Sequence, residues 1–443
     1  MTSDALDIRP ILAVPQNSSD GWQTLSEEDR FDFFQSLPRG EASELFLSLS
    51  AADQEALVSA LPVSERRVWL RLLAPDDAAD LIQLAREEER DGLLGLLVPR
   101  TRIEVEALLE YQADVAGGRM NPSYAWVRPE MTAAQAQAYV RLQAADRISM
   151  VYYSYVLDRD ERLLGVVSFR ELMTAPAHRP VSEIMLRDPV CVAEDLDQEA
   201  VAQILAEHDL LAVPVVDAGG HMKGIITVDD VIDVVQQEAT EDIQKIGGSE
   251  ALTLPYFRTR PAEMLRKRAG WLSLLFLSEM LTATAMGFFE HEIEAAVVLA
   301  VFVPLVISSG GNSGSQASTL VIRAMALGEV RLRDWWRVVR RELGFGLSLG
   351  AILATIGAIR ITVWQGIFGS YGDHAFQLAM TVSLSLVGVV AWGTMVGSML
   401  PLALRRAGFD PANASAPFVA TLCDVTGLVI YFSVAKLILL NSL

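Results

Sequence analysis

Near its C-terminus the chain reads Ala416-Pro-Phe-Val-Ala-Thr-Leu-Cys-Asp-Val-Thr-Gly-Leu-Val-Ile-Tyr-Phe-Ser-Val-Ala-Lys-Leu-Ile-Leu-Leu440. This apolar run is long enough to cross a bilayer as a helix. Asp424 lies near its middle, where a charge facing lipid would cost roughly 3 kcal/mol. We therefore expect Asp424 to face a protein-lined space that holds water or an ion. The alternative is a structural Asp that accepts hydrogen bonds from hydroxyls on neighbouring helices.

Four other apolar runs are of similar length, so the sequence predicts five membrane-spanning helices. They lie at about 270–289, 295–325, 344–368, 376–404 and 416–440. Loops rich in Arg and Lys alternate with loops that contain neither, starting with a basic segment before the first span. The positive-inside rule then predicts a multi-pass protein of the cell (inner) membrane, with cytoplasmic N-terminal domains and the C-terminus outside. Glu290 would lie at the outer mouth and attract cations.

The charge of the chain is divided unevenly. Residues 1–250 hold 45 acidic and 21 basic side chains, whereas the rest of the chain holds 11 acidic and 15 basic ones. An acidic region disfavours nucleic acid as a partner, because phosphates bind Lys and Arg. It suits cations, or it serves solubility alone. The two cysteines, Cys191 and Cys423, form no ligand pattern.

The predicted secondary structure changes along the region before the membrane spans. Residues 1–21 predict a flexible tail. From 22 to 116 proline interrupts helical patterns about every dozen residues, which predicts an all-α superhelix of short stacked helices. Short strands then alternate with helices up to about residue 250, which predicts an α/β unit. A connecting (plug) helix over 244–268 would lead into the transmembrane domain, 269–443.

Two segments of the α/β unit repeat one pattern of strand, turn, strand and helix. The clearest copy contains Leu211-Ala-Val-Pro-Val-Val216 and Lys223-Gly-Ile-Ile-Thr-Val-Asp-Asp-Val231. This pattern resembles a tandem pair of CBS domains, here at 117–178 and 179–243. The resemblance implies an adenosine nucleotide such as ATP, with Thr227 and Asp230 at its ribose. The alternative is that Thr227 only caps the following helix.

Acidic side chains are concentrated in two groups. Asp76, Asp77 and Asp80 share one predicted helix, and Asp76 and Asp80 share one face of it. The second group follows the last predicted strand and comprises Asp229, Asp230, Asp233, Glu238, Glu241 and Asp242. Crowded carboxylates repel each other, and their hard oxygen atoms suit divalent cations. Each group is therefore either a cation site or a solvated face.

The second predicted span is rich in small and polar residues. It contains Ser308-Ser-Gly-Gly-Asn-Ser-Gly-Ser-Gln316, in which Asn312 and Gln316 share a face. Small residues allow close helix packing, and polar groups at this depth can line a cavity. Packing alone is the alternative. Glu279, in the middle of the first span, is a further acid with either a structural or a functional role.

The whole chain resembles the MgtE family of magnesium channels and transporters. The motifs that carry the resemblance are Gly310-Gly-Asn-Ser-Gly-Ser-Gln316, Leu327-Gly328-Glu329, Asp410-Pro411 and Thr421-Leu-Cys-Asp-Val-Thr-Gly427. The resemblance implies a homodimer in membrane lipid, with spans two and five along the ion path. It implies that this path contains Asp424, Asn312, Gln316, Thr421 and Gly427. It further implies that Mg²⁺ bound at both acidic groups closes the path.

The implied function is Mg²⁺ import, with Mg²⁺ as both substrate and regulator. A transporter that prefers Co²⁺ or Mn²⁺ is the alternative, and a CBS-regulated membrane sensor or enzyme is a distant one. The sequence contains no catalytic motif, so we expect no enzyme activity. Ala416 and Gln236-Gln237 depart from the family pattern, which bears on the sensitivity of gating. Channel and carrier mechanisms both stay open.

Overall fold

The computed structural model describes residues 22, 25–146, 152–252, 256, 259–295 and 297–438. The predicted tail, residues 1–21, and the last two residues of the predicted fifth span lie outside these ranges. The chain divides into two compact units, Met1–Gln237 and Glu238–Leu443. The predicted fold class is confirmed in its main parts: a helical region, an α/β pair of CBS type and five long apolar helices.

Short helices make up the first part of unit one. They are α1 (Glu27–Ser36), α2 (Arg39–Ser48), α3 (Ala51–Ala60), α4 (Val63–Leu70), α5 (Pro75–Leu84), α6 (Glu87–Leu94) and α7 (Pro99–Leu108). The hydroxyls of Ser26 and Ser50 accept amide hydrogens at the starts of α1 and α3, and Pro75 and Pro99 open α5 and α7. The helices bury their apolar faces in one core around Phe46.

Two small sheets follow in unit one. The first has the order β1-β2-β3-β4, with β1 (Trp126–Val127), β2 (Tyr153–Leu157), β3 (Leu163–Ser168) and β4 (Leu186–Arg187). The second has the order β5-β6-β7, with β5 (Val192–Ala193), β6 (Ala212–Val216) and β7 (Met222–Thr227). Each sheet joins a parallel pair to an antiparallel pair, as expected for a repeat. The helices of this region are α8 (Ala116–Arg119), α9 (Ala133–Asp146), α10 (Phe169–Thr174), α11 (Val181–Ile184) and α12 (Gln198–Glu207).

The segments that flank the two predicted repeats, 117–178 and 179–243, cross over between the two sheets. β4 lies after the boundary at 178/179, yet it pairs with β3 of the first sheet. Conversely, the segment that opens the first repeat joins the second: the amide of Ala116 donates to the Leu196 carbonyl, and Asn121 exchanges backbone hydrogen bonds with Ile225. Each linking segment therefore completes the other repeat. The similarity between the two repeats could not show this exchange, because the pairing of each linking segment depends on which sheet edge is adjacent to it in the folded chain.

The helix after β7, α13 (Val228–Ile246), ends far short of the predicted connecting (plug) helix, 244–268. Gly248 has φ +75°, the left-handed conformation that commonly terminates a helix. The described residues between 247 and 260 are not helical, and the next helix begins at Pro261. The prediction of one helix over 244–268 is therefore wrong: its first residues end α13, and its last residues begin the first membrane helix.

Within the described residues, five helices are long and apolar enough to span a membrane, as predicted. They are α14 (Pro261–Phe288), α16 (Val298–Ala326), α17 (Trp335–Phe368), α18 (Ala375–Arg406) and α19 (Ala416–Ile438), and the short α15 (Glu290–Ala295) lies between the first two. α17 begins well before the predicted residue 344, because the basic residues Arg337–Arg341 continue the helix beyond its apolar part.

Close backbone contact joins α16 to α18. Gly314 faces Gly397, and a Cβ on Gly397 would clash with the Gly314 carbonyl oxygen. This part of the second span therefore serves helix packing. Gly311 lies on another face, where an added Cβ would be 3.7 Å from Asp424 Oδ1. The two roles predicted for the glycine-rich span, packing and lining, thus belong to different faces of α16.

Candidate functional site

Three membrane helices of unit two, α14, α16 and α19, surround an open cavity of about 360 Å³, called here the membrane cavity. The polar part of its lining consists of Glu279, Thr282, Ser308, Asn312 and Asp424. Apolar side chains and the backbone of Gly311 complete the wall. Helices that can span a membrane thus enclose a space with acidic, hydroxyl and amide groups, which is suited to water and cations.

Asp424 is half-buried in the middle of α19. The nearby hydroxyls of Thr421 and Thr426 donate to carbonyl oxygens of their own helix, at 3.0 and 2.8 Å. Among the residues that the structure describes, the Asp424 carboxylate has neither a hydrogen-bond donor nor a basic partner. The alternative of a structural Asp held by hydroxyls is therefore not what the described residues show.

The other predicted ion-path residues occupy different surroundings. Asn312 lines the membrane cavity, whereas Gln316, one turn further along α16, is exposed and outside the lining. Thr421 is bonded to its own helix backbone, and Gly427 is buried against side chains of α16 and α18. Glu290 is exposed at the start of α15. Of these residues only Asn312 lines the membrane cavity, and a part in the ion path stays a prediction for all of them.

In unit one, α5 and the start of α13 bring six carboxylates together. This group, called here the acidic interface, comprises Asp76, Asp77, Asp80, Asp229, Asp230 and Asp233. Residues on α5 interact electrostatically with residues on α13, as Asp77 does with Asp230 and Asp80 with Asp233. The sequence indicated both acidic helices but not that they meet, because β-strands and helices separate them along the chain.

Arg119 offsets part of this charge. Its Nη1 lies 2.8 Å from Asp80 Oδ2, and its other nitrogens donate to the side-chain oxygens of Gln198 at 2.9 Å and Gln237 at 2.8 Å. Burial still raises the pKa of Asp80, against the lowering effect of the guanidinium. Sequence reasoning missed Arg119, because it follows two glycines at a predicted domain boundary, where a basic residue carries no signal of its own.

Burial and mutual repulsion perturb the other acids of the acidic interface. Burial, then the charges of Asp77 and Asp230, raises the pKa of Asp76, whose Oδ1 accepts a hydrogen bond from Asn121 at 3.0 Å. Burial, reinforced by neighbouring carboxylates, raises the pKa of both Asp77 and Asp230 to about 6. These carboxylates are costly to ionise together, so a bound cation would stabilise their charged forms.

The acidic interface is not a closed coordination sphere. Within the described ranges, no three His, Cys, Asp or Glu side chains converge closely enough to hold a metal ion. Asp230 is also engaged locally, because Thr227 Oγ1 lies 2.6 Å from its Oδ2 at the start of α13. This contact is local to the first turn of α13, and the choice between a helix cap and a nucleotide site stays open.

The remaining predicted acids, Glu238, Glu241 and Asp242, belong to unit two. There Lys245 Nζ lies 2.6 Å from Asp410 Oδ2 and also contacts Glu241. Burial, followed by the charge of Asp410, raises the pKa of Asp242. Asp410 was not predicted as a site residue, since Asp before Pro signals only a helix cap, a role that it also fills.

Comparisons with known families agree with this organisation. A family model described as a divalent cation transporter matches residues 303–434, and one described as the MgtE intracellular N domain matches residues 15–114. A CBS domain model matches residues 181–237. The solved cytosolic domain of the Mg²⁺ channel MgtE in complex with ATP shares 40% identity, covers 51% of this chain and 92% of its own, and has a TM-score of 0.47.

Full-length relatives extend the match to nearly the whole chain. The magnesium transporter MgtE of Thermus thermophilus is 42% identical over 98% of this chain and 96% of its own length. That of Enterococcus faecalis is 30% identical, with 90% and 93% covered, and that of Bacillus subtilis is 30% identical, with 94% and 89% covered. These relatives are transporters rather than enzymes. The chain therefore belongs to the MgtE family of magnesium transporters.

Proposed function

We propose that the chain is a Mg²⁺-gated channel or transporter that imports Mg²⁺ across the cell membrane. The observation that carries this proposal is the Asp424 carboxylate, which has no hydrogen-bond donor among the described residues and lies in a cavity between three membrane helices. A charge at this depth is costly unless it is hydrated or compensated. A cation that passes through the membrane cavity would supply that compensation, so Asp424 serves the ion path.

The size of the membrane cavity favours a hydrated ion. Mg²⁺ takes six ligands and dehydrates reluctantly. The cavity is open and measures about 360 Å³, which leaves room for an ion together with several of its waters. Asn312 and Ser308 add polar groups that can bond such waters. Asp424 then holds Mg²⁺ through its waters, which keeps the ion exchangeable.

The functional unit is a homodimer in membrane lipid, with two Asp424 carboxylates along one ion path. Large apolar side chains on α16, such as Leu305 and Leu320, are exposed in the single chain, and lipid or a second copy would cover them. The basic residues of the loops before α17 and after α18 support cytoplasmic N-terminal domains and an outer C-terminus. Glu290 then stands at the outer mouth.

Gating relies on the acidic groups. When the acidic interface is ionised and without a cation, repulsion between α5 and α13 opposes their contact. Mg²⁺ between the carboxylates replaces repulsion with attraction, and Glu238, Glu241 and Asp242 extend the sensor in unit two. The raised pKa values of Asp77 and Asp230 support this role, because they record the cost of the crowded charges.

The test of the ion path is Mg²⁺ uptake by a Mg²⁺-auxotrophic host and by proteoliposomes that contain the full chain. We expect Asp424→Asn to reduce Mg²⁺ flux at least tenfold, because the amide cannot compensate a cation. Ser433→Ala, an exposed position on the same helix, is the matched control and should leave flux unchanged. Undiminished flux through a correctly folded Asp424→Asn protein would rule out the proposed ion path.

The competing ion preference is tested in the same proteoliposomes. If Co²⁺ or Mn²⁺ inhibits Mg²⁺ flux at concentrations below the half-saturating Mg²⁺ concentration, the alternative of a Co²⁺ or Mn²⁺ transporter is correct. The reluctance of Mg²⁺ to lose water favours Mg²⁺ in a cavity of this size. Flux of each ion alone through the unmodified chain decides between the two.

ATP at the CBS pair is a second candidate ligand. The CBS match over residues 181–237 and the ATP complex of the relative's cytosolic domain support it. Thr227→Ala should weaken ATP binding to the full chain in calorimetry. Ser168→Ala is the matched control, because the Ser168 hydroxyl makes the corresponding contact with the Glu171 carboxylate in the first repeat. Equal affinities in both variants and the unmodified chain would remove Thr227 from an ATP site.

A further inference from the structure

The membrane cavity contains a second acid, Glu279. It lies in the middle of α14, whereas Asp424 belongs to α19, and both line the same cavity. The sequence alone left its role open. In the structure Glu279 is not enclosed by protein packing: its side chain is exposed along the membrane cavity. Two different helices thus direct carboxylates into one space within a single chain.

No group of the described protein neutralises these two carboxylates. Glu279, like Asp424, has no hydrogen-bond donor and no basic partner among the described residues. Thr282, nearly one turn from Glu279, also lines the cavity, and its buried Oγ1 has no hydrogen-bond partner among the described residues. Polar atoms in such positions are ordinarily paired. Their convergence indicates a surface for a positively charged, water-carrying ligand.

We propose that Glu279 is a specificity-determining residue of the ion path, which binds the water shell of a divalent cation together with Asp424. This inference rests on the proposed function of Asp424 and adds a second charge to the same site. Because Mg²⁺ keeps several of its waters, the Glu279 carboxylate accepts hydrogen bonds from those waters while Asp424 does the same from α19. The ion is then held between two helices.

The second carboxylate discriminates by charge. The Coulomb attraction of each carboxylate is twice as large for a divalent as for a monovalent cation at the same distance. Water and salt in the open cavity screen this attraction in part. Glu279 therefore lowers the Mg²⁺ concentration needed for half-maximal flux and disfavours Na⁺ and K⁺. It does not raise the maximal rate, because a tightly held ion leaves more slowly.

The test compares full-length variants in proteoliposomes, with flux measured over a range of Mg²⁺ concentrations and with Na⁺ as the competing ion. Glu279→Gln should raise the half-saturating Mg²⁺ concentration roughly tenfold, keep or increase the maximal rate and increase Na⁺ flux. Glu279→Asp keeps the charge but withdraws it by one methylene, so a smaller shift in the same direction is expected. Glu342→Gln, on α17 outside the cavity lining, is the matched control.

The inference would be overturned if both Glu279 variants had the same half-saturating Mg²⁺ concentration and the same Na⁺ flux as the unmodified chain. A loss of maximal rate without a shift in half-saturation would also overturn it, because that result indicates a structural role. If Glu279→Gln does not fold, Glu279→Asp alone decides by the same two measurements. Undiminished flux in Asp424→Asn is a separate outcome, which would overturn the proposed ion path whatever the Glu279 variants show.

Discussion

The acidic interface of unit one and the membrane cavity of unit two both gather carboxylates, but they compensate them differently. At the acidic interface, Arg119 pairs with Asp80 at 2.8 Å. In the membrane cavity, Asp424 and Glu279 have no such partner among the described residues. A carboxylate with a built-in partner helps to hold two segments together, whereas one without a partner stays available to exchange water and ions. Under the proposed function, the same chemical group would favour cohesion in one unit and passage in the other.

The largest expected effect comes from neutralising three of the six carboxylates of the acidic interface while the membrane cavity is left intact. In the triple variant Asp77→Asn, Asp230→Asn and Asp233→Asn, neither repulsion nor Mg²⁺ binding remains at these positions. Uptake at high internal Mg²⁺ should rise to about that at low internal Mg²⁺, because the difference in binding free energy that closes the path is lost. The measurement is Mg²⁺ uptake by the host at both internal concentrations.

The control for this prediction is a second triple variant with exposed acids on α6, Glu87→Gln, Glu88→Gln and Asp91→Asn. It removes the same formal charge from the same unit, so the response to internal Mg²⁺ should persist. Unchanged closure in the first variant would separate the acidic interface from gating. Loss of all Mg²⁺ flux in the first variant would show that the acidic interface is needed for transport itself and not only for gating.

An intermediate effect is expected for Arg119→Met, which removes the built-in cation and keeps most of the side-chain volume. Asp80 would lose its half-buried partner, at a cost of about 2 kcal/mol in the free energy of unfolding of unit one. Added Mg²⁺ should recover part of this loss, because a free cation can take over compensation. The urea midpoint of unit one in the full chain, read by pulse proteolysis with and without Mg²⁺, measures both effects.

Arg100→Met is the matched control for that prediction. Arg100 forms an exposed pair with Glu104 on the same helix, in which the Arg side chain is 69% exposed. Such pairs contribute under about 0.5 kcal/mol. Equal shifts in the two variants, or an Arg119→Met protein that does not respond to Mg²⁺, would contradict the role of Arg119 as a resident cation.

The smallest expected effect concerns pH. Burial raises the pKa of Asp77 and Asp230 from 3.8 to about 6 in the folded chain, so between about pH 4 and 6 the folded state binds more protons than the unfolded state. Stability without Mg²⁺ should therefore fall as pH rises through 6. Mg²⁺ should stabilise unit one more at pH 7.5 than at pH 5.5, since protons already relieve the repulsion at the lower pH. The urea midpoint at both pH values checks this, and the triple Asn variant should lose the difference.

Much of this organisation can be predicted from the sequence, because it follows from local patterns. Long apolar runs predict the five membrane helices, and proline spacing predicts the short helices of unit one. Asp424 stands out because a charge in an apolar run is costly wherever the chain folds. The acidic helices stand out for a similar reason, because like charges on one helix require an explanation.

Other features depend on contacts between distant residues, and the sequence does not show them. Arg119 is important only because the fold brings it next to Asp80. Glu279 is important because it shares a cavity with Asp424 of α19, and no local sequence pattern links the two residues. The connecting helix over 244–268 was expected from the family resemblance, but Gly248 with its positive φ ends α13, and Pro261 begins the next helix.

The exchange of linking segments between the two sheets has a consequence for the order in which the protein is made. The backbone of Asn121 pairs with Ile225, which is translated about a hundred residues later. The first sheet gains β4 only after the linker between the repeats has been translated. Domains otherwise tend to fold one after another during synthesis, the N-terminal one first. Here the first sheet is complete once β4 has been translated, whereas the segment around Asn121 stays without its partner until β7 of the second sheet follows.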